Sequence, residues 1–203
     1  MKLYYFPGAC PLASHIVLEW IGKPYETVRL TREQTKEADY LALNPTGAVP
    51  TLVDGDFVLT QSAAILNYLA ELSPEAGLLG DTPRERAETH RWLGLFNSDL
   101  HKTFSLVFGP AYYTGGDETA GKVVAGKAAE KLQSLFAIID ARLRGRDWLT
   151  GKRSVADAYL FVLLMWADAK KIPLEGLDEL RKFQARLRAD AGVQAALKAE
   201  GLA

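Results

Sequence analysis

Cys10 is the only cysteine among 203 residues, and Pro11 follows it. Residues 3–6 read as a short strand, Pro7-Gly8 as a turn, and a helix opens near Cys10-Pro11. Proline suits a first helical turn, where its missing N–H would have no partner anyway. The thiol then sits beside the unsatisfied N–H groups of a helix start, a place that stabilises a thiolate and lowers its pKa. The competing reading is a small buried apolar residue. Position 13 is Ala, so there is no Cys-x-x-Cys pair, and any disulfide of Cys10 must form with an outside thiol. In a reducing compartment the abundant small thiol is glutathione.

Two other places carry polar chemistry. Gln61-Ser62 precedes an apolar helical run. As an N-cap, Ser62 offers its N–H, hydroxyl and helix dipole to a carboxylate, and the Gln61 amide suits an amino or carboxylate group. Alternatively, Ser62 only caps its own helix. His101, in Ser98-Asp99-Leu100-His101-Lys102, lies beside core positions Leu100 and Phe104 and is either structural or an acid–base group. His15 and His90 read as structural, Tyr4 and Tyr5 as packing, and the histidines are too scattered for a metal site.

These residues need elements to hold them. Residues 25–30 alternate as a second strand, and 31–42 suggest a short or irregular helix. The turn-rich 44–50 leads into Thr51-Leu52-Val53, and Asp54-Gly55 is a two-residue hairpin turn before Phe57-Val58-Leu59. The predicted order through residue 70 is β-α-β-α-β-β-α. Residues 73–83 read as a linker, and the period is helical beyond it. Leu93, Phe96, Leu100, Phe104 and Val107 share one face of a helix opening near Arg84. Leu132, Leu135, Ile139 and Leu143 mark another, with a loop over 109–121 between them. Ser154-Val155-Ala156-Asp157 has the capping-box pattern. The helix behind it is apolar on every side and so is expected in the core.

Composition narrows the partners. With 24 basic and 25 acidic residues, the chain has no electrostatic footprint for nucleic acid or an anionic membrane. No apolar run approaches the ~18 residues of a membrane span. The first residues lack a signal peptide's apolar stretch, and one cysteine suits a reducing compartment. A soluble cytoplasmic protein is expected.

A strand, a Cys-Pro helix start and a later Val-Pro before a strand are the parts of a thioredoxin-like domain. In that fold the proline facing the cysteine is cis, turning the preceding backbone toward a ligand; here that is Pro50, exposing Val49. Together with the opening segment through Cys10, Asn44-Pro45-Thr46-Gly47-Ala48-Val49-Pro50, Gln61-Ser62 and the segment from Ser154 to Phe161, the whole chain resembles a bacterial glutathione transferase. The nearest type is the beta class, with cysteine where other classes have Tyr or Ser.

The resemblance implies an α/β thioredoxin-like glutathione-binding domain over 1–76 and an all-α domain over 84–203 with a pocket for a hydrophobic electrophile. It implies glutathione as co-substrate, a homodimer, Cys10 and His101 in catalysis, and thiol–disulfide exchange or peroxidase activity through Cys10. Glutathione would meet Ala9, Cys10, Val49, Pro50, Gln61, Ser62, Ser98, Asp99 and His101, with Asp99 reaching across the dimer. Phe104, Phe108, Tyr112, Tyr113 and Trp166 would line the electrophile pocket. The chain departs from the family at Gln61, where many members have Glu, and at Gly94, where Asn is frequent. Its 30–39 segment is short, leaving Arg32 and Lys36 as alternatives for the family's basic residue. A non-catalytic binding protein of the same fold is the alternative function.

Overall fold

The computed structural model describes residues 1–203. Strand β1 (Lys2–Tyr5) turns Leu3 and Tyr5 inward, as period-two alternation requires. Helix α1 (Pro11–Ile21) is buried from Pro11 to Leu18 and ends at Gly22, whose left-handed φ of 72° lets its N–H reach the Leu18 carbonyl. Strand β2 (Glu26–Arg29) returns parallel to β1. The 31–42 segment divides into a 3-10 turn (Gln34–Lys36) and helix α2 (Ala38–Leu43). Strands β3 (Thr51–Asp54) and β4 (Phe57–Thr60) form the expected hairpin, and β3 lies antiparallel to β1. The sheet order is β2-β1-β3-β4, followed by helix α3 (Ser62–Glu71). This is the expected thioredoxin-like arrangement.

The rest is helical. Thr82, read from sequence as linker, caps α4 (Pro83–Leu95) in a reciprocal box with Glu85: the Glu85 N–H donates to Thr82 Oγ1 at 3.2 Å and the Thr82 N–H to Glu85 Oε2 at 3.0 Å. The single long helix expected here is interrupted by one π-helical turn (Phe96–Leu100) before α5 (His101–Phe108). The expected 109–121 loop holds a short helix, α6 (Pro110–Tyr113), and the start of α7 (Glu118–Leu143). Helices α8 (Val155–Ala169), α9 (Asp178–Arg188) and α10 (Ala191–Glu200) complete the chain. No helix is long and apolar enough to cross a membrane.

One continuous cluster of buried apolar side chains runs from Leu3 through α1 into α8 and α10. The 73–82 connection joins it: Leu78 and Leu79 are buried. The Leu78 carbonyl accepts from the Val155 N–H at 2.9 Å and the Leu79 carbonyl from Thr89 Oγ1 at 2.9 Å. The all-apolar α8 lies in the core as its pattern requires. Its capping box puts Asp157 at the centre of three buried donors: the Leu149 N–H at 3.1 Å, and the Ser154 N–H and hydroxyl, both at 2.8 Å.

Asp157→Ala strands all three donors, so a loss of about 2–4 kcal/mol is expected. Ser154→Ala, which removes only the cap hydroxyl, costs about 1 kcal/mol. Urea midpoints of the two variants, at unchanged m-value, measure the difference.

Candidate active site

The loop before α1 is held from two directions. The Gly8 N–H donates to Glu200 Oε2 at 2.8 Å, and the Gly8 carbonyl accepts from Trp166 Nε1 at 2.8 Å. Glu200 is buried and its other oxygen lies 3.0 Å from Nδ1 of buried His15. One residue, two positions before Cys10, is thus gripped by α8 and α10.

Cys10 occupies the cap position of α1, 6% exposed, and its thiol donates to the Val49 carbonyl at 3.5 Å. The expectation of a lowered pKa is corrected here. Burial pushes the Cys10 thiol up to about 11; the Ser62 side chain and Cys10's own backbone N–H pull the other way without offsetting it. The first helical N–H groups give no help. Pro11 has none, and those of Leu12 and Ala13 are turned back to the Ala9 and Cys10 carbonyls at 3.0 and 3.1 Å.

Opposite Cys10, the Val49–Pro50 peptide is cis. The 44–50 loop is fixed by Asn44 and Tyr40. Asn44 Nδ2 donates to the Ala48 carbonyl at 2.7 Å and the Tyr40 hydroxyl donates to the same carbonyl at 2.5 Å; Asn44 Oδ1 accepts from Thr46 Oγ1 at 2.7 Å. Gly47 is obligatory in this turn: its φ is +61°, and an added Cβ would lie 3.0 Å from the Thr35 carbonyl oxygen. At the third corner, Gln61 rather than Ser62 occupies the cap position of α3, with a left-handed φ of 73°. Ser62 begins the helix and is buried. A non-glycine residue in that conformation is strained, and such strain concentrates at functional sites.

These corners enclose a cavity of about 200 Å³ lined by Cys10, Asn44, Thr46, Ala48, Val49, Pro50, Thr60, Gln61, Ser62, Asn97 and His101. Of the expected residues it therefore gathers Cys10, Val49, Pro50, Gln61, Ser62 and His101. Ala9 adjoins it through Cys10 without lining it. Ser98 and Asp99 lie outside it, the Ser98 hydroxyl bonded to Asp99 Oδ2 at 2.6 Å and to the Gly94 carbonyl at 2.8 Å. Arg32 and Lys36 are exposed and outside it as well. Asn44, Thr46, Thr60 and Asn97 were not singled out from sequence. Asn44 had a signal, as the first residue of the turn-rich motif; Asn97 had none, since the π turn that presents it leaves no local pattern.

The aromatic residues expected around an electrophile separate into two groups. Phe104 and Trp166 are core side chains, while Tyr112 is 88% exposed and Phe108 and Tyr113 are also exposed. A second cavity of about 280 Å³ adjoins the first and shares Gln61, Asn97 and His101 with it. Its remaining lining is Lys102, Ser105 and Tyr113, with the Ser105 and Tyr113 hydroxyls 2.7 Å apart. Most of its lining side chains are polar, and of the aromatic residues expected around an electrophile it holds Tyr113. The run Phe104, Phe108, Trp166 packs on itself instead, with edge-on contacts of 5.4 and 5.3 Å to the indole.

His101 sits between the two cavities. Its Nδ1 lies 2.6 Å from the hydroxyl of Tyr159, and its ring meets Trp166 edge-on at 4.9 Å. Burial, with Lys102 adding to it, lowers its pKa, so the imidazole is neutral near pH 7.

Residues 1–71 match the family model described as the glutathione S-transferase N-terminal domain, and residues 96–190 match that of the C-terminal domain. The chain belongs to the glutathione S-transferase family. It is 50% identical over 204 residues to Glutathione S-transferase GST-4.5 of Xanthomonas campestris pv. campestris, with both chains fully covered. Among solved structures, a glutathione S-transferase from Xylella fastidiosa superposes with a TM-score of 0.95 at 46% identity, covering all of this chain and 99% of that one. A sphingomonad glutathione S-transferase complexed with glutathione superposes at 0.88 with 37% identity, both chains fully covered.

The raised thiol pKa of this transferase has a direct readout. With no ligand added, the rate of Cys10 alkylation by iodoacetamide should keep climbing with pH toward about 11. A plateau near neutral pH would show a stabilised thiolate instead.

Proposed function

We propose that this transferase binds glutathione through residues 1–76 and activates its thiol for attack on an electrophile held by residues 84–203. The observation that carries the reading is the single cavity where Cys10, the cis Val49–Pro50 peptide, Gln61-Ser62 and His101 converge. Val49 pairs with the tripeptide backbone, Gln61 and Ser62 hold the γ-glutamyl carboxylate at the start of α3, and the sulfur lies between Cys10 and His101. The protein works as a cytoplasmic homodimer, in which Ser98 and Asp99 serve the neighbouring site, Asp99 toward the glutathione amino group. Phe57, exposed on edge strand β4, offers an apolar contact to the second copy.

In conjugation the glutathione thiol gives its proton to solvent. The thiolate forms a C–S bond as the leaving group departs with its electron pair. The electrophile is held in the polar cavity, its apolar portion against Phe108 and Tyr113 at the rim and its polar portion toward Lys102. Phe104 and Trp166 shape this site from behind.

A slower exchange runs through Cys10. Its thiolate attacks the glutathione sulfur of a mixed disulfide, forming a Cys10–glutathione disulfide and releasing the other thiolate. A second glutathione thiolate then attacks, releasing glutathione disulfide and restoring Cys10. Because burial raises the Cys10 pKa, this route is limited by the small thiolate fraction.

Cys10→Ala should abolish exchange with a mixed disulfide while sparing part of the conjugation of a model electrophile. Equal loss of both would remove the division of labour. Calorimetric glutathione binding with no turnover of any electrophile or disulfide would favour a non-catalytic carrier.

A further inference from the structure

Tyr159 has no part in the function proposed above. It stands on α8, fully buried, edge-on to Phe96 at 6.0 Å and to His101 at 6.2 Å. Its hydroxyl makes one short contact, 2.6 Å to His101 Nδ1. The tautomer of His101 depends on which of the two atoms supplies the proton.

The count of partners decides. His101 Nδ1 is the one hydrogen-bond partner of this hydroxyl, so a bond donated by an Nδ1–H would leave a fully buried O–H with no acceptor, which is costly. A phenol this deeply buried also keeps its proton: burial and nearby Cys10 push its pKa far up, and the Ser62 side chain only partly opposes them. The hydroxyl therefore donates and Nδ1 accepts. A neutral imidazole accepting at Nδ1 carries its own proton on Nε2. Nε2 has no hydrogen-bond partner in the protein, although His101 lines both cavities.

We propose that Tyr159 is a positioning residue that locks His101 in its Nε2–H form, so that the imidazole meets the ligand sulfur as a neutral hydrogen-bond donor and not as a base. Trp166, edge-on to the same imidazole, holds the ring plane. The opposite tautomer would leave a bare Nε2 lone pair facing the sulfur, which repels a thiolate and suits only proton abstraction from a thiol. The proposal rests on the reading that glutathione occupies this cavity.

Long-range proton–nitrogen correlation spectra of 15N-labelled protein at neutral pH test it. The chain has three histidines, and the His101 pattern is identified by its loss in His101→Asn. The wild type should show Nε2 protonated and Nδ1 bare, with and without glutathione. Tyr159→Phe, which keeps the ring and removes the hydroxyl, should mix the two tautomers. It should also lower kcat for conjugation in proportion to the fraction of His101 that leaves the Nε2–H form, about twofold for an even mixture, with KM for glutathione unchanged. A wild-type spectrum with the proton on Nδ1 overturns the proposal, as does a folded Tyr159→Phe protein with an unchanged His101 pattern. The wild-type spectrum requires neither the variant nor turnover. Absence of glutathione binding would sink the proposed function while leaving the tautomer to be decided on its own.

Discussion

Everything at the site depends on how Gly8 is held. Its carbonyl is tied to the Trp166 indole and its N–H to the Glu200 carboxylate, so its place is set by two side chains that follow it by more than 150 residues. A buried carboxylate is costly unless its oxygens are occupied. Here one oxygen takes the Gly8 N–H and the other faces His15. The arrangement removes freedom from the two-residue span before Cys10, so the thiol is aimed by the helical part of the molecule as much as by its own strand and helix. Trp166 extends the same control across the cavity, since its ring borders His101 as its N–H holds Gly8. A change in the packing of α8 moves both sides of the site together.

The enclosure that positions Cys10 also sets its chemistry. Holding a thiol at about 11 instead of its ordinary 9.0 favours the protonated form by about 3 kcal/mol. A helix start offers an exposed anion about 0.3–1 kcal/mol, and here the first N–H groups are already engaged. Desolvation wins. The resting cysteine is a hydrogen-bond donor, its thiol directed at the Val49 carbonyl.

What could be read from the sequence was whatever the chain encodes locally. The strand–turn–helix around Cys10, the Asp54-Gly55 hairpin and the Ser154–Asp157 box each lie within a few residues, and each is present. The cis Pro50 was legible only through the fold resemblance. Other features depend on partners far along the chain. His15 reads as a lone helical histidine until Glu200, 185 residues later, is placed against it. Tyr159 sits in an all-apolar run and reads as core, which it also is; only the fold brings its hydroxyl to His101. The aromatic residues expected around an electrophile divide between core and surface for the same reason, because pattern does not distinguish a ring packed against neighbours from one facing a cavity.

The π-helical turn explains how one helix serves the core and the site at once. Phe96, Leu100 and Phe104 must stay in the core, where each is fully buried, while Asn97 and His101 must line the cavity. These are adjacent faces, and an uninterrupted α-helix rotates away from a fixed direction by a constant angle per residue. Widening one turn resets that angle just before His101. The cost is a looser backbone over Phe96–Leu100, met outside by Ser98, whose hydroxyl returns to the Gly94 carbonyl one turn back. Such turns recur where a helix must carry chemistry. Here the widened turn contains Asn97 and ends immediately before His101, so both cavity-lining side chains of this helix are presented by the irregularity or at its edge.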